Sequence, residues 1–240
     1  TGVFTWTPTE LQGPGVYIFD VVVTDNGDPM LDDSETITVT VCEVNLPPVL
    51  DPIGDYSVDE ETLLTFTATA SDPDIPVNTL TFSLGGAPAG AVIDPTTGVF
   101  TWTPTETQGP GSYPFIVFVF DNGIPVLSDY EVITVTVNEV SLPPVLDPIP
   151  PKPGCEDTLL SFTVTVSDPD LPPNTLAFSL VGAPAGAVIE PTTGVFTWTP
   201  TELQGPDSYS FDVVVTDSGY PVLDDSETIT VTVNEVNLPP

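Results

Sequence analysis

The chain has 240 residues, of which 35 are acidic and one, Lys152, is basic, and it contains no histidine. This balance excludes nucleic acid and anionic membrane surfaces as partners, because both are recognised by Lys and Arg. The absence of histidine also means that the chain lacks the usual general base near neutral pH. Two carboxylates could act as a glycosidase pair, but no acidic pair stands out from those that recur, so we predict that the chain is not an enzyme. No apolar run approaches the ~18 residues of a membrane-spanning helix, which argues against membrane insertion.

An internal repeat organises the chain. Residues 1–10 recur at 97–106 and at 193–202, each copy 96 residues after the previous one (97 − 1 and 193 − 97). Leu-Pro-Pro segments that end at Pro48, Pro144 and Pro240 are typical of stiff linkers. The predicted domains are the C-terminal half of a repeat (1–46), two complete repeats (47–142 and 143–238) and the start of the next linker (239–240). Because residue 1 falls in mid-pattern, we expect a longer protein, with 1–46 completed by upstream strands or by a neighbouring molecule.

Apolar and polar residues alternate within each repeat, as in strands that place one face on a core. In the first complete repeat the alternating runs begin at Leu64, Leu80, Phe100, Tyr113 and Ile133, with turn signals between them. Several short strands rich in Thr and Val, in just under 100 residues, predict an all-β fold of tandem Greek-key β-sandwiches in an extended array.

The repeated tryptophans could form a sugar-stacking platform or part of the core. Trp6, Trp102 and Trp198 each share a strand face with a phenylalanine two residues earlier. Aromatic residues dominate the cores of sandwiches, which favours the core position.

The outer face of two neighbouring strands is apolar only in the middle repeat. Matching positions in the last repeat are mostly polar, for example Asp212 and Ser226. An exposed apolar patch of this size marks a contact surface, and we predict self-association through it; a covered or glycan-shielded face is the alternative. The predicted interface residues are Pro114, Ile116, Phe118, Phe120, Tyr130 and Val132.

The two cysteines, Cys42 and Cys155, lie in different repeats. An intrachain disulfide is not expected in an extended array, since the Cα atoms of a bridge lie about 4.4–6.8 Å apart. A disulfide between staggered molecules and two unpaired thiols both remain open.

Two segments resemble the cadherin repeat. The run Val23-Thr24-Asp25-Asn26-Gly27, followed by the strand and linker Ile37–Pro48, is similar to the last two strands and linker of a cadherin domain. Asp72-Pro73-Asp74 with Asn78 is similar to the cadherin Asp-x-Asp motif and the Asn after it, and Glu60 stands at the position of the first-strand glutamate. The chain also resembles bacterial cadherin-like and immunoglobulin-like tandem surface repeats. It shares with them the sequence Asp-Pro-Thr-Thr-Gly-Val-Phe-Thr-Trp-Thr-Pro at 94–104.

The resemblance implies calcium at the junctions between repeats. Carried over by position, one junction takes Glu10, Glu43, Asn45, Asp72, Asp74, Asn78 and Asp121. The next takes Glu60, Glu106, Glu139, Asp168, Asp170, Asn174 and Asp217, with Ser141 in its linker. The linker departs from Asp-x-Asn-Asp-Asn and loses one strong carboxylate, so fewer ions are expected than in a full cadherin cluster. The plain alternative is that Ser-Asp-Pro-Asp is only a solvated turn.

The function predicted from these features is a structural repeat segment of an extracellular bacterial fibre or adhesin stalk, stiffened by calcium and self-associating. A ligand- or carbohydrate-binding surface adhesin module is the alternative, with glycans as its candidate partners. That alternative requires variable loops or an exposed aromatic platform, whereas the loops here are nearly constant between repeats. The predicted location is the cell surface or the extracellular space.

Overall fold

The computed structural model describes residues 2–237, so the predicted linker start at 239–240 lies outside the described residues. The described chain divides into two compact units. The first comprises 2–58, 62–103 and 111–137, and the second comprises 59–61, 104–110 and 138–237. Among the described residues no helix is long and apolar enough to cross a membrane.

The first half-repeat is a two-stranded antiparallel hairpin. Strands β1 (Gly15–Thr24) and β2 (Asp32–Val41) pair over their full length, following a 3-10 turn at Glu10–Gln12. Val21 and Val23 remain exposed, although their equivalents in the middle repeat, Val117 and Val119, are fully buried. The hairpin therefore presents an uncovered apolar face.

The middle repeat is a β-sandwich, which confirms the all-β prediction. Its strands are β3 (Val49–Leu50), β4 (Tyr56–Asp59), β5 (Leu64–Thr67), β6 (Ala70–Ser71), β7 (Thr81–Gly85), β8 (Val92–Ile93), β9 (Val99–Trp102), β10 (Gly111–Phe120) and β11 (Ser128–Asn138). One layer has the order β4-β11-β10-β7, and the other contains β5-β9-β8 beside the short pair β3-β6. Alternate side chains of β9, β10 and β11 fill the space between the layers, because successive residues of a strand point to opposite faces.

The last repeat has the same strand orders. Its strands are β12 (Val145–Leu146), β13 (Lys152–Cys155), β14 (Leu160–Thr163), β15 (Val166–Ser167), β16 (Ala177–Val181), β17 (Val188–Ile189), β18 (Val195–Trp198), β19 (Asp207–Thr216) and β20 (Asp224–Asn234). The four-stranded layer is β13-β20-β19-β16, in which β13 and β20 are parallel. The other sheets are β14-β18-β17 and β12-β15. Further 3-10 turns lie at Glu106–Gln108 and Glu202–Gln204.

Trp102 and Trp198 lie in the sandwich cores, each with 1 % of its surface exposed. Each indole N–H donates a hydrogen bond to a backbone carbonyl, Ala89 or Ala185, at 3.2 Å. The core prediction is confirmed for these two residues, which removes them as a sugar-stacking platform.

The repeated phrase at 94–104 forms a tight turn into β9. Asp94 accepts the N–H groups of Thr96 and Thr97 at 2.9 and 2.7 Å. Gly98 has a φ of +68°, and a Cβ there would overlap the carbonyl oxygen of Ala68. Only glycine fits this position, because other residues strain at positive φ and would also clash.

Candidate metal centres

Three glutamates meet in the second unit, and the charge of Asp170 acts on two of them. We call these four residues the second carboxylate cluster: Glu60, Glu106, Glu139 and Asp170. The fold places three of them at strand ends or turns, since Glu60 directly follows β4, Glu139 directly follows β11, and Glu106 opens a 3-10 turn. One carboxylate oxygen from each glutamate lies within 4.8 Å of the other two. Glu60 and Asp170 are almost fully buried.

Backbone N–H groups hold this cluster together. Glu60 Oε1 accepts from Val140 at 2.8 Å, Glu106 Oε1 from Leu171 at 2.9 Å, and Asp170 Oδ1 from Leu142 at 2.8 Å. Glu60 Oε2 and both oxygens of Glu139 are buried and accept no hydrogen bond. Three oxygen atoms are therefore free to bind a ligand. Burying a carboxylate oxygen without a partner costs free energy, so these atoms favour binding of a ligand.

Burial and neighbouring like charges raise the pKa values of two members of this cluster, Glu139 and Glu60. Burial, and then the charges of Glu60, Glu106 and Asp170, raise the pKa of Glu139 to about 7. Burial is also the largest cause of the raised pKa of Glu60, which the charges of Glu106 and Asp170 raise further. Lys152 is the single basic side chain of the chain, and its Nζ lies 5.0 Å from the centre of the Phe162 ring.

The first unit contains a smaller equivalent, the first carboxylate cluster: Glu10, Glu43 and Asp74. Their ligand atoms also lie within 4.8 Å of one another. Asp74 is 1 % exposed and accepts the N–H of Leu46 at 3.0 Å, while Glu10 accepts the N–H of Ile75 at 3.2 Å. Desolvation, followed by the charge of Glu10, raises the pKa of Glu43.

Beside each cluster, the linker meets a second group of polar side chains. The first linker site consists of Asn45, Asp72, Asn78 and Asp121, and the second consists of Ser141, Asp168, Asn174 and Asp217. The second aspartate of each Asp-x-Asp motif joins the two groups, because Asn78 donates to Asp74 at 2.6 Å and Asn174 donates to Asp170.

The Asp-x-Asp motif is a turn whose second aspartate is buried. Asp72 Oδ1 accepts the N–H groups of Asp74 and Asn78, both at 3.1 Å, as in an Asx turn. Ser71 and Pro73 are exposed, but Asp74 and Asp170 are buried, and the Oδ2 atoms of Asp72 and Asp168 are buried without a partner. The turn is therefore only partly in contact with solvent.

The donor chemistry of these groups suits a hard cation. Calcium takes six to eight oxygen ligands from carboxylates, amides, backbone carbonyls and water. The clusters supply carboxylate oxygens, the linker sites supply amide or hydroxyl oxygens, and neither contains nitrogen or sulfur ligands suited to zinc. A cleft of ≈ 300 Å³ is lined by residues of the first carboxylate cluster and the first linker site: Glu43, Asn45, Asp74 and Asn78, with Gly123 beside them.

The repeats match a protein family over most of their length. The family model described as Putative Ig domain matches residues 47–138 and 143–234. The chain belongs to the Putative Ig domain family. It is also 27 % identical to Protocadherin-16 of Rattus norvegicus, across 96 % of this chain and 7 % of that protein. Cadherin-1 of Gallus gallus is 29 % identical across 67 % of this chain and 20 % of its own length.

Two solved structures show the same fold as these Ig-domain repeats. PcdhgB3 EC1-4 matches with a TM-score of 0.62 at 18 % identity, covering 96 % of this chain and 59 % of that one. Mouse Cadherin-23 EC22-24 matches with a TM-score of 0.52 at 20 % identity, covering 91 % and 74 %. The chain is a tandem of cadherin-like, immunoglobulin-like β-sandwiches, and it spans only 7 % of the length of the Protocadherin-16 relatives.

A third carboxylate cluster of the Ig-domain repeats was missed by the sequence prediction. Glu156, Glu202 and Glu235 bring their oxygens within 4.8 Å of one another. Glu156 is 1 % exposed, and its Oε2 has no hydrogen-bond partner. The charge of Glu156 is the largest cause of the raised pKa of Glu202. The 96-residue period predicts this cluster, because its members follow Glu60, Glu106 and Glu139 by one repeat.

The predicted interface residues lie together on the outer face of β10 and β11 in the middle Ig-domain repeat. Phe118 packs on Phe120 and Tyr130, with ring centres 5.7 and 5.8 Å apart. Tyr130 and Val132 are more than half exposed, Pro114 is exposed, and Ile116, Phe118 and Phe120 are half-buried. We call this surface the apolar face.

The absence of a side chain at Gly85 leaves room for the Phe118 ring. A Cβ at Gly85 would lie 2.7 Å from that ring, and the last repeat has Val181 at this position. The last repeat instead has a polar pair on the same face, in which Thr228 donates to Asp212 at 2.6 Å.

Cys42 is exposed and Cys155 is half-exposed, and both are free thiols. They occupy two positions of a repeat that face each other across parallel strands. Cys155 on β13 is the register partner of Asn234 on β20, and Asn234 is equivalent to Cys42 by two periods. In the middle repeat the corresponding residues, Asn138 and Asp59, form a 3.0 Å hydrogen bond.

Proposed function

We propose that calcium binds at the junctions between consecutive repeats and that the chain is a structural segment of an extracellular fibre or adhesin stalk. The second carboxylate cluster supports the proposal most directly. Its three glutamates bring carboxylate oxygens within 4.8 Å of one another. The charge of Asp170, from the next repeat, acts on Glu60 and Glu139. Three oxygens of the cluster are buried without a donor. A divalent cation would supply the missing positive charge and ligand bonds.

A bound cation would link residues of one repeat to residues of the next. Glu60 and Glu106 belong to the middle repeat, Glu139 directly precedes the linker, and Asp170 belongs to the last repeat. In a one-dimensional array, stability depends on such nearest-neighbour terms. The cation would therefore stiffen the connection, which is the property a stalk requires.

The melting temperature tests the calcium proposal. Extracellular calcium modules bind at about 0.1–1 mM, so 10 mM calcium should stabilise the folded chain by about 1–3 kcal/mol over EDTA. Magnesium should act more weakly, because it demands a small octahedral site. Replacing Glu60 with Gln should reduce the calcium response, because Glu60 Oε2 is a free buried ligand of the second carboxylate cluster. An equal melting temperature in calcium and EDTA would reject the proposal.

A second proposal concerns self-association through the apolar face. Its six residues carry no charge, in a chain whose net charge is −34, so two copies could approach there with the least repulsion. Phe118→Val with Phe120→Thr gives the middle repeat the residues of the last one, which supplies a matched variant. We expect sedimentation analysis to show assembly of the native chain and its loss in this variant. Leu203→Thr, at an exposed leucine outside the apolar face, is the control.

The cysteines extend this second proposal. We propose that Cys42 and Cys155 of different molecules form an intermolecular disulfide in the oxidising extracellular space. Non-reducing electrophoresis and peptide mapping should find a Cys42–Cys155 linkage, which Ser substitution at either position abolishes. Linkages only between identical cysteines would reject this pairing.

A further inference from the structure

The two linker sites differ at the residue contributed by the linker itself. The first has Asn45, and the second has Ser141 at the equivalent position. The remaining members are the same in both sites: Asp72 and Asp168, Asn78 and Asn174, Asp121 and Asp217. The distal aspartates are equally buried, with 5 % of Asp121 and 6 % of Asp217 exposed. The chain thus contains a natural comparison of one amide with one hydroxyl.

Asn45 cross-links the first linker site. Its amide N–H₂ donates to Asp121 Oδ2 and to the carbonyl oxygen of Pro125, both at 2.9 Å. Its Oδ1 accepts from Asn78 at 2.8 Å. Asp121 is otherwise held only through Oδ1, by the N–H groups of Gly123 and Leu127. Asn45 therefore supplies the one donor that the second oxygen of Asp121 needs.

This donor counters the cost of burying the carboxylate. Burial acts to raise the pKa of Asp121, and the hydrogen bonds from Leu127, Asn45 and Gly123 together bring it below its ordinary value. Gly123 makes the approach of Asn45 possible, because a Cβ at that position would overlap Asn45 Oδ1.

Ser141 is too short to do the same. Its hydroxyl reaches Asp170 Oδ2 at 3.4 Å, the limit of a hydrogen bond. Asp217 Oδ1 accepts from Gly219 at 3.0 Å and Leu223 at 2.9 Å, as in the first site, but Asp217 Oδ2 is buried with no partner. A buried carboxylate oxygen without a donor is strongly destabilising unless a cation or water binds it.

We infer that the linker residue sets how far each junction depends on its cation: Asn45 supplies the donor that Asp121 needs and keeps the first junction more ordered without a cation, whereas Ser141 leaves the second junction more dependent on a bound cation. This inference rests on the proposed calcium function and adds that the two junctions respond unequally. As calcium falls, the second junction loosens first.

Two equivalent backbone amides report on the two junctions separately. Leu46 N–H donates to Asp74 Oδ1 at 3.0 Å, and Leu142 N–H donates to Asp170 Oδ1 at 2.8 Å. Each amide belongs to the linker, and each acceptor belongs to the following repeat. Exchange with solvent requires that this hydrogen bond open, so its rate measures local order.

The experiment is hydrogen exchange of the full chain labelled with ¹⁵N-leucine, in EDTA and in 10 mM calcium. We expect Leu142 to exchange about tenfold faster in EDTA than in calcium, since one unsatisfied buried group changes an opening equilibrium by that order. Leu46 should change less than about threefold. The reciprocal variants Asn45→Ser and Ser141→Asn should move the calcium response to Leu46 and remove it from Leu142. Both residues already occur at this position of the repeat, so both variants should fold.

The outcomes separate this inference from the proposal on which it rests. Equal calcium responses at Leu46 and Leu142 that the exchanges leave unchanged would overturn the inference and retain calcium binding. No calcium response at either amide would overturn both. A response that follows the serine in each variant would establish the linker residue as the determinant.

Discussion

Replacing Glu139 with Gln should change stability in opposite directions with and without calcium. Without a cation, Glu139 faces the charges of Glu60, Glu106 and Asp170 from a buried position, and these effects raise its pKa to about 7. Gln has nearly the same shape but no charge. The variant therefore removes like-charge repulsion from the empty cluster and a ligand from the occupied one.

The size of the effect follows from the pKa. A rise from 4.5 to about 7 corresponds to about 3 kcal/mol between the two protonation states. Because the folded pKa is raised, the folded chain binds the extra proton, and stability is lost as the pH rises from about 4.5 through 7. At pH 8 without calcium, we expect Glu139→Gln to be more stable by about 1–3 kcal/mol, or about 2–12 °C in Tm. At pH 5 the gain should fall to roughly a quarter of this value, because native Glu139 is then protonated and only the unfolded chain has lost most of that proton.

Thermal unfolding by circular dichroism measures this at pH 5 and pH 8, in EDTA and in calcium. At pH 8 in calcium the variant should have a lower Tm than the native chain, because it lacks one charged ligand. Asp224→Asn, which removes the same formal charge from an exposed position, is the control and should shift Tm little in either condition. If Glu139→Gln lowers Tm in EDTA as well as in calcium, the reasoning about the cluster is refuted.

Three further predictions concern other parts of the chain. Calcium affinity measured by calorimetry should fall by up to about tenfold per pH unit below 7, because protonated Glu139 cannot act as a ligand; an affinity independent of pH would contradict this. Gly85→Val should destabilise the chain by about 1–3 kcal/mol in urea unfolding, since the new side chain displaces Phe118, and Phe118→Val in the same chain should restore stability. Asn234→Cys should form a disulfide with Cys155 on mild oxidation, detected by mass spectrometry, because the two are register partners; two free thiols would contradict the assigned register.

Much of the fold follows from patterns that the sequence shows directly. The two-residue alternation of β9 to β11 identifies the strands and their buried faces, and the 96-residue period places them again in the last repeat. The short strands β3, β6 and β8 could not be predicted from the sequence, because a two-residue strand leaves no periodic signal. Their pairing is set by neighbours that lie far away in the sequence.

The sequence predicted which residues lie near one another, but not how they are arranged. The resemblance to cadherins named residues that the structure brings together within each unit, but it did not divide them into a carboxylate cluster and a linker site. It also could not reveal that Asn45 donates to Asp121 Oδ2 while Ser141 leaves Asp217 Oδ2 without a donor, since this depends on side-chain reach. The third cluster at Glu156 was missed although the repeat period implies it, because the resemblance assigns ligands only to junctions between two repeats of this chain.

The most direct test of the account is a calorimetric titration of calcium into the native chain, compared with the Glu60→Gln, Glu106→Gln double variant. Both substituted residues belong to the second carboxylate cluster, in which the three glutamates bring ligand atoms within 4.8 Å of one another. The account predicts saturable binding with a dissociation constant of about 0.1–1 mM, and loss of at least one site in the double variant. Absence of binding heat up to 20 mM calcium (roughly twenty times the weaker of these constants), or a titration that the double variant leaves unchanged, would contradict it.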